Sequence, residues 1–275
     1  MGLLMKFIDV HSHILPGIDD GSENWEQSIE MLRQAEQDGI AQLVCTPHVH
    51  SAKDFLHEKE WFSLLEEFKE RAANARIAVD LQLGCEIYIQ PDLQLHRPIS
   101  TLAQNGRYFL VEFPMNMIPD FVADRFFKII ISGKTPVIAH PERNGQVIQR
   151  LQIAYDFVAR GALLQMNAGS LLGMFGDTVQ QTAELLLEAD LIHLVASDAH
   201  DDQNRTQVLS KAYQKIVDRY GLERGTRLFS ITPQKIVRGE PVSLQTPVSL
   251  EQVRLQNKKS PLNLRKWLNR MVQTK

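Results

Sequence analysis

An α/β protein whose mainly parallel sheet closes, or nearly closes, into a barrel is the fold this sequence predicts. Short apolar runs recur at residues 7–10, 42–46, 81–87, 108–113, 136–139, 162–166 and 192–196, separated by segments in which apolar residues keep helical spacing. Seven strands alternating with helices favour a barrel over an open sheet. Size agrees: 275 residues of 44% hydrophobic composition suit one large domain, and single α/β barrels run to about 250 residues.

The elements follow in order. After the opening strand, the spacing predicts a helix over 25–38, with Ile29, Leu32 and Ala35 on one side and Gly39 as its stop signal. Residues 61–76 repeat the pattern with Leu64, Leu65, Phe68 and Ala72, and further helices are predicted at 119–132, 146–160, 178–189 and 203–220. The barrel domain is placed at residues 1–245 and a basic extension at 246–275. No acid follows Glu251, and Leu264, Trp267, Leu268 and Met271 recur at helical spacing after the Ser260-Pro261 break. Such a segment reads as a helix docked on the barrel with a solvated basic side, or as a weak contact for anionic lipid or an acidic phosphorylated tail.

Composition narrows the class. A net charge of −3 gives no bias towards polyanions, so nucleic acid is not an expected partner. Cys45 and Cys85 each sit inside an apolar run, as small buried hydrophobes do in a reducing compartment. No apolar span approaches the roughly 20 residues that cross a bilayer, and the opening residues are too short for a signal-peptide core. A cytoplasmic protein is expected.

Polar residues gather where the apolar runs end. The first run leads into His11-Ser-His13, whose alternating positions in an extended chain put both imidazoles on one face. His48 follows the second run, Glu86 the third and Glu112 the fourth; His140, Glu142 and Arg143 follow the fifth, and Asp198 and His200 the last. In a parallel barrel the carboxyl ends of all strands share one rim, so these residues converge. Asp19 and Asp20, beyond a Pro16-Gly17 turn, compete for one further place. Imidazoles mixed with carboxylates, without a thiolate, suit Mn²⁺, Fe²⁺ or Zn²⁺ and suit Ca²⁺ or Cu⁺ poorly. There are too many ligands for one ion; two or three ions sharing a bridging carboxylate would use them and relieve their mutual repulsion. Such ions lower the pKa of bound water from about 15.7 towards about 7. Asp9 is set aside as a structural hydrogen-bonder, and His50, His57, His96 and His193 as surface or core residues. Glu142, read as an exposed loop residue beside Arg143, is either a proton donor to a leaving group or a surface ion-pair partner, and is left unassigned.

The run DVHSHILPGIDDGS, followed in order by TPH, GCEIY, VEF, AHPERN and ASDAH, resembles the PHP (polymerase and histidinol phosphatase) superfamily. The resemblance is strongest to its manganese-dependent bacterial protein-tyrosine phosphatases of capsule and exopolysaccharide operons, and extends from Phe7 to about Pro241. It implies a distorted (β/α)7 TIM-like barrel and a trinuclear centre held by His11, His13, Asp20, His48, Glu86, Glu112, His140, Asp198 and His200. Asp20 rather than Asp19 is taken from the resemblance. It implies Mn²⁺, with Fe²⁺, Zn²⁺ or Mg²⁺ as alternatives, and hydrolysis of phosphotyrosine by metal-activated hydroxide, in the tail of a membrane-associated tyrosine autokinase. Arg143 and Arg205 match the family's phosphate-binding arginines, and a guanidinium fork suits phosphate oxygens.

Other chemistries remain in view. A histidinol-phosphate phosphatase or other small-phosphomonoester hydrolase would use the same centre. Amidohydrolase barrels also begin with an HxH strand, but normally bridge their metals with lysine where this chain has Glu86. A non-catalytic scaffold with structural metals is a different class again. The cysteine-nucleophile route to tyrosine phosphatase activity lacks its arginine, since Ser51 and Pro91 stand six residues after the two cysteines. No Asp-x-Asp pair suggests an aspartyl-phosphate enzyme.

Overall fold

The computed structural model describes residues 6–243 and 247–249; the predicted helix in the 246–275 extension lies outside the described residues. The apolar runs become strands β1 (Phe7–Ser12), β2 (Ile40–Cys45), β3 (His48–Val49), β4 (Asp80–Leu83), β5 (Glu86–Tyr88), β6 (Tyr108–Glu112), β7 (Thr135–Ala139), β8 (Leu163–Asn167) and β9 (Leu194–Ala196). Every paired neighbour is parallel.

The strands form two sheets rather than one continuous ladder, in the orders β1-β2-β4 and β3-β5-β6-β7-β8-β9. The break has a local cause. Pro47 has no N–H to extend the ladder, so the run beginning at Ile40 stops and restarts at His48. Its neighbour, expected as one strand over 81–87, breaks at the same level, where Gly84 N–H donates to the Cys45 carbonyl and Glu86 N–H to the Pro47 carbonyl. The observed architecture is therefore mixed α/β with two parallel sheets.

β1 and β9 meet along a seam. Asp198 N–H donates to the His11 carbonyl and His13 N–H to the Ala199 carbonyl, both at 2.9 Å, beside an isolated parallel bridge between Ser12 and Ala199. Asp9 ties the seam further down, accepting from Ser197 N–H at 3.1 Å and from Gln207 Nε2 at 2.6 Å. The pairing of β1 with β2 is irregular between Asp9 and Ser12, so simple alternation does not relate Asp9 to the histidines. His193, just before β9, is a core residue: its Nδ1 accepts from Leu164 N–H at 3.1 Å while its own N–H donates to the Leu164 carbonyl. Burial lowers its pKa to about 4.

Helices pack outside the strands: α1 (Trp25–Asp38), α2 (Glu58–Asn74), α3 (Val122–Ile131), α4 (Gly145–Gln149), α5 (Gln152–Ala159), α6 (Ala168–Leu171), α7 (Asp177–Glu188), α8 (Ser210–Tyr220), α9 (Leu222–Thr226) and α10 (Thr232–Val237). Asn24 caps α1 by accepting from Gln27 N–H, and Gly39 ends it at φ 92°. Two predicted helices differ. The one expected over 146–160 is divided, because Arg150 leaves helical geometry at φ −144°. The one expected from 203 begins at Ser210, because the Asp201 carboxylate captures the N–H groups of Gln203, Asn204 and Arg205 in a turn. Asp38 then accepts from Leu209 and Ser210 N–H at the true helix start.

Candidate metal centre

Residues at the carboxyl ends of β1 and β6, the opening residues of β3 and β5, and residues from the segments following β1, β7 and β9 come together around Glu86. This side chain is fully buried, and among the described residues neither of its carboxylate oxygens has a hydrogen-bond partner at normal geometry. Four imidazole nitrogens surround it instead: His11 Nε2, His13 Nε2 and His140 Nε2 at 3.3 Å, and His48 Nδ1 at 3.2 Å. Burial opposes the charge on Glu86, but these imidazoles, His11 foremost, hold its pKa well below the usual range. A buried carboxylate ringed by four imidazole nitrogens is an arrangement that cations complete.

Three overlapping groups have ligand atoms within 4.8 Å of one another: His13, Asp20, His48 and His200; His11, His13 and Asp198; and His48, Glu86 and Glu112. His13 and His48 each belong to two of them. His140 joins through Glu86 and through Glu112, 3.7 Å away. All nine sequence-derived candidates thus lie together. Burial, reinforced by repulsion from Glu86, raises the pKa of Glu112 to about 7.

The two adjacent aspartates divide their work. Asp20 Oδ1 stands 3.3 Å from His48 Nε2 and 3.4 Å from His200 Nε2. Asp19 faces the other side of His13, accepting from Nδ1 at 2.9 Å and from the N–H groups of His48 and Gly21. It thereby fixes the tautomer that leaves His13 Nε2 facing the cluster. Burial works against the proton on His13, but the hydrogen bond to Asp19 and the charge of Glu86 raise its pKa to about 10. Gly21 permits this fold-back: a Cβ there would lie 2.0 Å from the His13 carbonyl oxygen. His140 and Asp198 sit at φ 30° and 53°, a left-handed backbone that non-glycine residues adopt at some cost at functional sites.

Beside the cluster opens a cleft of about 740 Å³, lined by Ile18, Asp20, His48, Trp61, Tyr88 and Glu112 among others. His50 and His57, set aside from the sequence as surface or core residues, also line it.

A sequence model of the family described as "Capsular polysaccharide synthesis, CpsB/CapC" matches residues 7–238. The chain belongs to the CpsB/CapC family. It is 35% identical to the putative tyrosine-protein phosphatase CapC of Staphylococcus aureus, over 75% of this chain and 82% of that protein. It is 32% identical to the tyrosine-protein phosphatase YwqE of Bacillus subtilis, over 90% and 98%. It also matches a crystal structure from work on YwqE of Bacillus subtilis and CpsB of Streptococcus pneumoniae, described as metal-dependent tyrosine phosphatases. That match has a TM-score of 0.82 at 31% identity and covers 88% of this chain and 98% of that one.

In this CpsB/CapC chain both arginines singled out in the sequence converge on Asp198. Arg143 Nη1 lies 3.0 Å and Arg205 Nη2 2.7 Å from the same oxygen, Oδ2, leaving Oδ1 towards His11 and His13. His11, His140 and Arg205 outweigh burial and keep Asp198 below the usual carboxylate range. Both guanidinium groups face the Phe175 ring, at 4.2 and 5.9 Å from its centroid.

Sequence reasoning missed Phe175 and an amide pair on β8. Gln165 Oε1 accepts from His11 Nδ1 at 2.8 Å; Gln165 Nε2 donates to Asn167 Oδ1 at 2.8 Å; Asn167 Nδ2 donates to Asp198 Oδ2 at 2.5 Å. Both amides are fully buried. Their signal was present, since two amides at alternate positions inside an apolar run demand buried partners. Glu142 is a correction: it is fully buried rather than exposed, and its Oε1 accepts from Asn167 N–H at 2.9 Å. Burial raises its pKa.

Proposed function

We propose that this chain is a metal-dependent protein-tyrosine phosphatase acting on the phosphorylated tail of a membrane-associated tyrosine kinase that controls capsule or exopolysaccharide synthesis. Glu86, buried amid the imidazoles of His11, His13, His48 and His140 with no hydrogen-bond partner at normal geometry among the described residues, is the observation that carries the reading. The proposed ligands are those four histidines with Asp20, Glu86, Glu112, Asp198 and His200. Mn²⁺ is the proposed metal, with Fe²⁺, Zn²⁺ or Mg²⁺ as alternatives, and the strands on both sides of the Pro47 break are proposed to act as staves of one distorted (β/α)7 barrel.

When bound there, divalent cations supply Lewis-acid activation of water and of the phosphoryl group. Arg143 and Arg205 offer fixed forks of N–H donors to the non-bridging phosphate oxygens, exchanging Asp198 Oδ2 for the substrate. Phe175 holds both forks from one side. The displaced tyrosine has a phenolic pKa near 10, so its departure needs little help from a general acid. A cysteine nucleophile has no part: Cys45 and Cys85 are fully buried, and burial raises both thiols above their ordinary range.

The test is hydrolysis of a phosphotyrosyl peptide after chelation and after Mn²⁺ add-back, with His11→Ala and Asp198→Ala alongside. Loss on chelation, recovery with Mn²⁺ and inactivity of both variants are expected. Activity that survives chelation and both substitutions overturns the reading. Histidinol phosphate and an amide substrate, assayed in parallel, separate the small-phosphomonoesterase and amidohydrolase alternatives.

A further inference from the structure

A second cleft, of about 630 Å³, shares no lining residue with the metal cleft. It runs between the segment from Leu93 to Gly106 and helix α3. Its rim carries Arg97, Arg125, Lys128 and Lys134 together with His96, and its floor is formed by Leu93, Leu95 and Ile129. The lining contains no carboxylate.

These cations are weakly satisfied. Among the described residues Arg125 pairs only with Asp92, at 3.7 Å and 91% exposed, where solvent screens the pair. Arg97 reaches Glu58 at 3.5 Å, and Lys134 donates to the Gly106 carbonyl. Among the described residues, the side chains of Lys128 and His96 make no ion pair or hydrogen bond. The Nε atoms of Arg97 and Arg125 are closed to solvent and find no acceptor within the described protein. In a chain of net charge −3, four permanent cations over an apolar floor form a local field that selects anions.

The cleft also lies near the site. A shallow depression of about 10 Å³, lined by Ser51, Tyr88, Gln90, Asp92 and Leu93 among others, shares Ser51 and Tyr88 with the metal cleft and Leu93 with the basic one. An extended polypeptide whose phosphotyrosine occupies the metal cleft would cross this surface, past Asp92, to reach the basic cleft.

We propose that the basic cleft is an exosite for an acidic segment flanking the phosphotyrosine of a polypeptide substrate. This rests on the phosphatase reading above and adds a source of substrate selectivity remote from the metal ligands. The cationic rim binds carboxylate or phosphate groups of the flank, and the leucine floor takes its apolar side chains.

The test compares phosphotyrosyl peptides with flanks of about ten residues, about 33 Å when extended, rich either in glutamate or in glutamine, placed on one side or the other. Arg125→Glu/Lys128→Glu is measured beside the wild type with these peptides and with para-nitrophenyl phosphate. For one flank direction, the wild type should show about a tenfold lower KM with glutamate than with glutamine, diminishing as salt rises. The double variant should lose that preference while its turnover of para-nitrophenyl phosphate is unchanged. A preference for glutamate that survives in the variant overturns the proposal, as does a wild type with none. So does a variant that keeps the peptide preference but no longer sediments with anionic phosphatidylserine vesicles, which assigns the cleft to membranes. If the wild type cleaves neither para-nitrophenyl phosphate nor any phosphotyrosyl peptide, it is the phosphatase reading that fails.

Discussion

Replacing Gln165 with leucine removes one side chain that is not among the proposed ligands and yet should loosen the whole centre. Gln165 accepts from His11 Nδ1 and donates to Asn167, each at 2.8 Å, in a fully buried position. Leucine nearly preserves the volume but leaves a buried N–H on His11 and a buried carbonyl on Asn167. Each unsatisfied group costs about 1–3 kcal/mol, so the metal-free protein should lose about 2–6 kcal/mol of stability. His11 also loses the partner that fixes its tautomer, and Asn167 its anchor beneath Asp198. Loss of such an outer partner lowers metal affinity by about 10–100-fold, equivalent to about 1.4–2.7 kcal/mol. The assay is competition for Mn²⁺ against a fluorescent chelator, with chemical denaturation of the metal-free protein in parallel. Gln165→Glu, which keeps the acceptor for His11, should lose less affinity than Gln165→Leu. An affinity for Gln165→Leu within about twofold of wild type, about 0.4 kcal/mol, would refute the positioning argument.

Three more outcomes follow from geometry already described. His193 is held neutral, with its pKa lowered from 6.5 to about 4 by burial; the unfolded chain therefore binds the extra proton first as pH falls. Stability is lost between about pH 6.5 and pH 4, by about 3 kcal/mol from this group, and His193→Gln should show a correspondingly shallower acid dependence in urea titrations. Identical slopes for the two proteins would exclude the effect. Gly21→Ala sets a methyl group 2.0 Å from a backbone carbonyl, which no rotamer relieves. Destabilisation of at least about 1–3 kcal/mol and weakened Mn²⁺ binding are expected, and an unchanged thermal midpoint would contradict them. Phe175→Leu removes the ring under Arg143, worth about 0.5–2 kcal/mol. KM for an aryl phosphate should rise by about 2–30-fold while Phe175→Trp stays near wild type, and equal KM values for all three would count against it.

Much of the centre is legible in the sequence because every candidate ligand but Asp20 lies at or just past the end of an apolar run, and parallel strands carry their carboxyl ends to one side. What was hidden depends on groups that sequence spacing does not relate. Asp19 and Asp20 are neighbours with opposite duties, decided by a loop that doubles back through Gly21 onto His13. Glu142 follows a proline and precedes an arginine, which reads as exposed loop, but the N–H at the end of β8 draws it inside. Gln165 and Asn167 lie in a run whose apolar neighbours suggested only core. The division of the sheet was visible in part, since Pro47 cannot donate to a ladder; the matching break beside Gly84 depends on its partner strand. The late start of α8 depends on Asp38, far away in sequence, capping Ser210.

The seam that ties β1 to β9 sets a timetable. His11 leaves the ribosome early, whereas Asp198, Asp9's partner Gln207 and both ends of the amide chain are complete only roughly 190 residues later, about 10–40 s at ordinary rates of synthesis. Throughout that interval the nascent chain displays isolated histidines and acids and no enclosed pocket. Completion of the centre is consequently a late event in the life of each molecule, coupled to closure of the seam: a chain interrupted before Asp198 would carry seven of the nine proposed ligands and none of the backbone bonds that Asp198 and Ala199 make to His11 and His13.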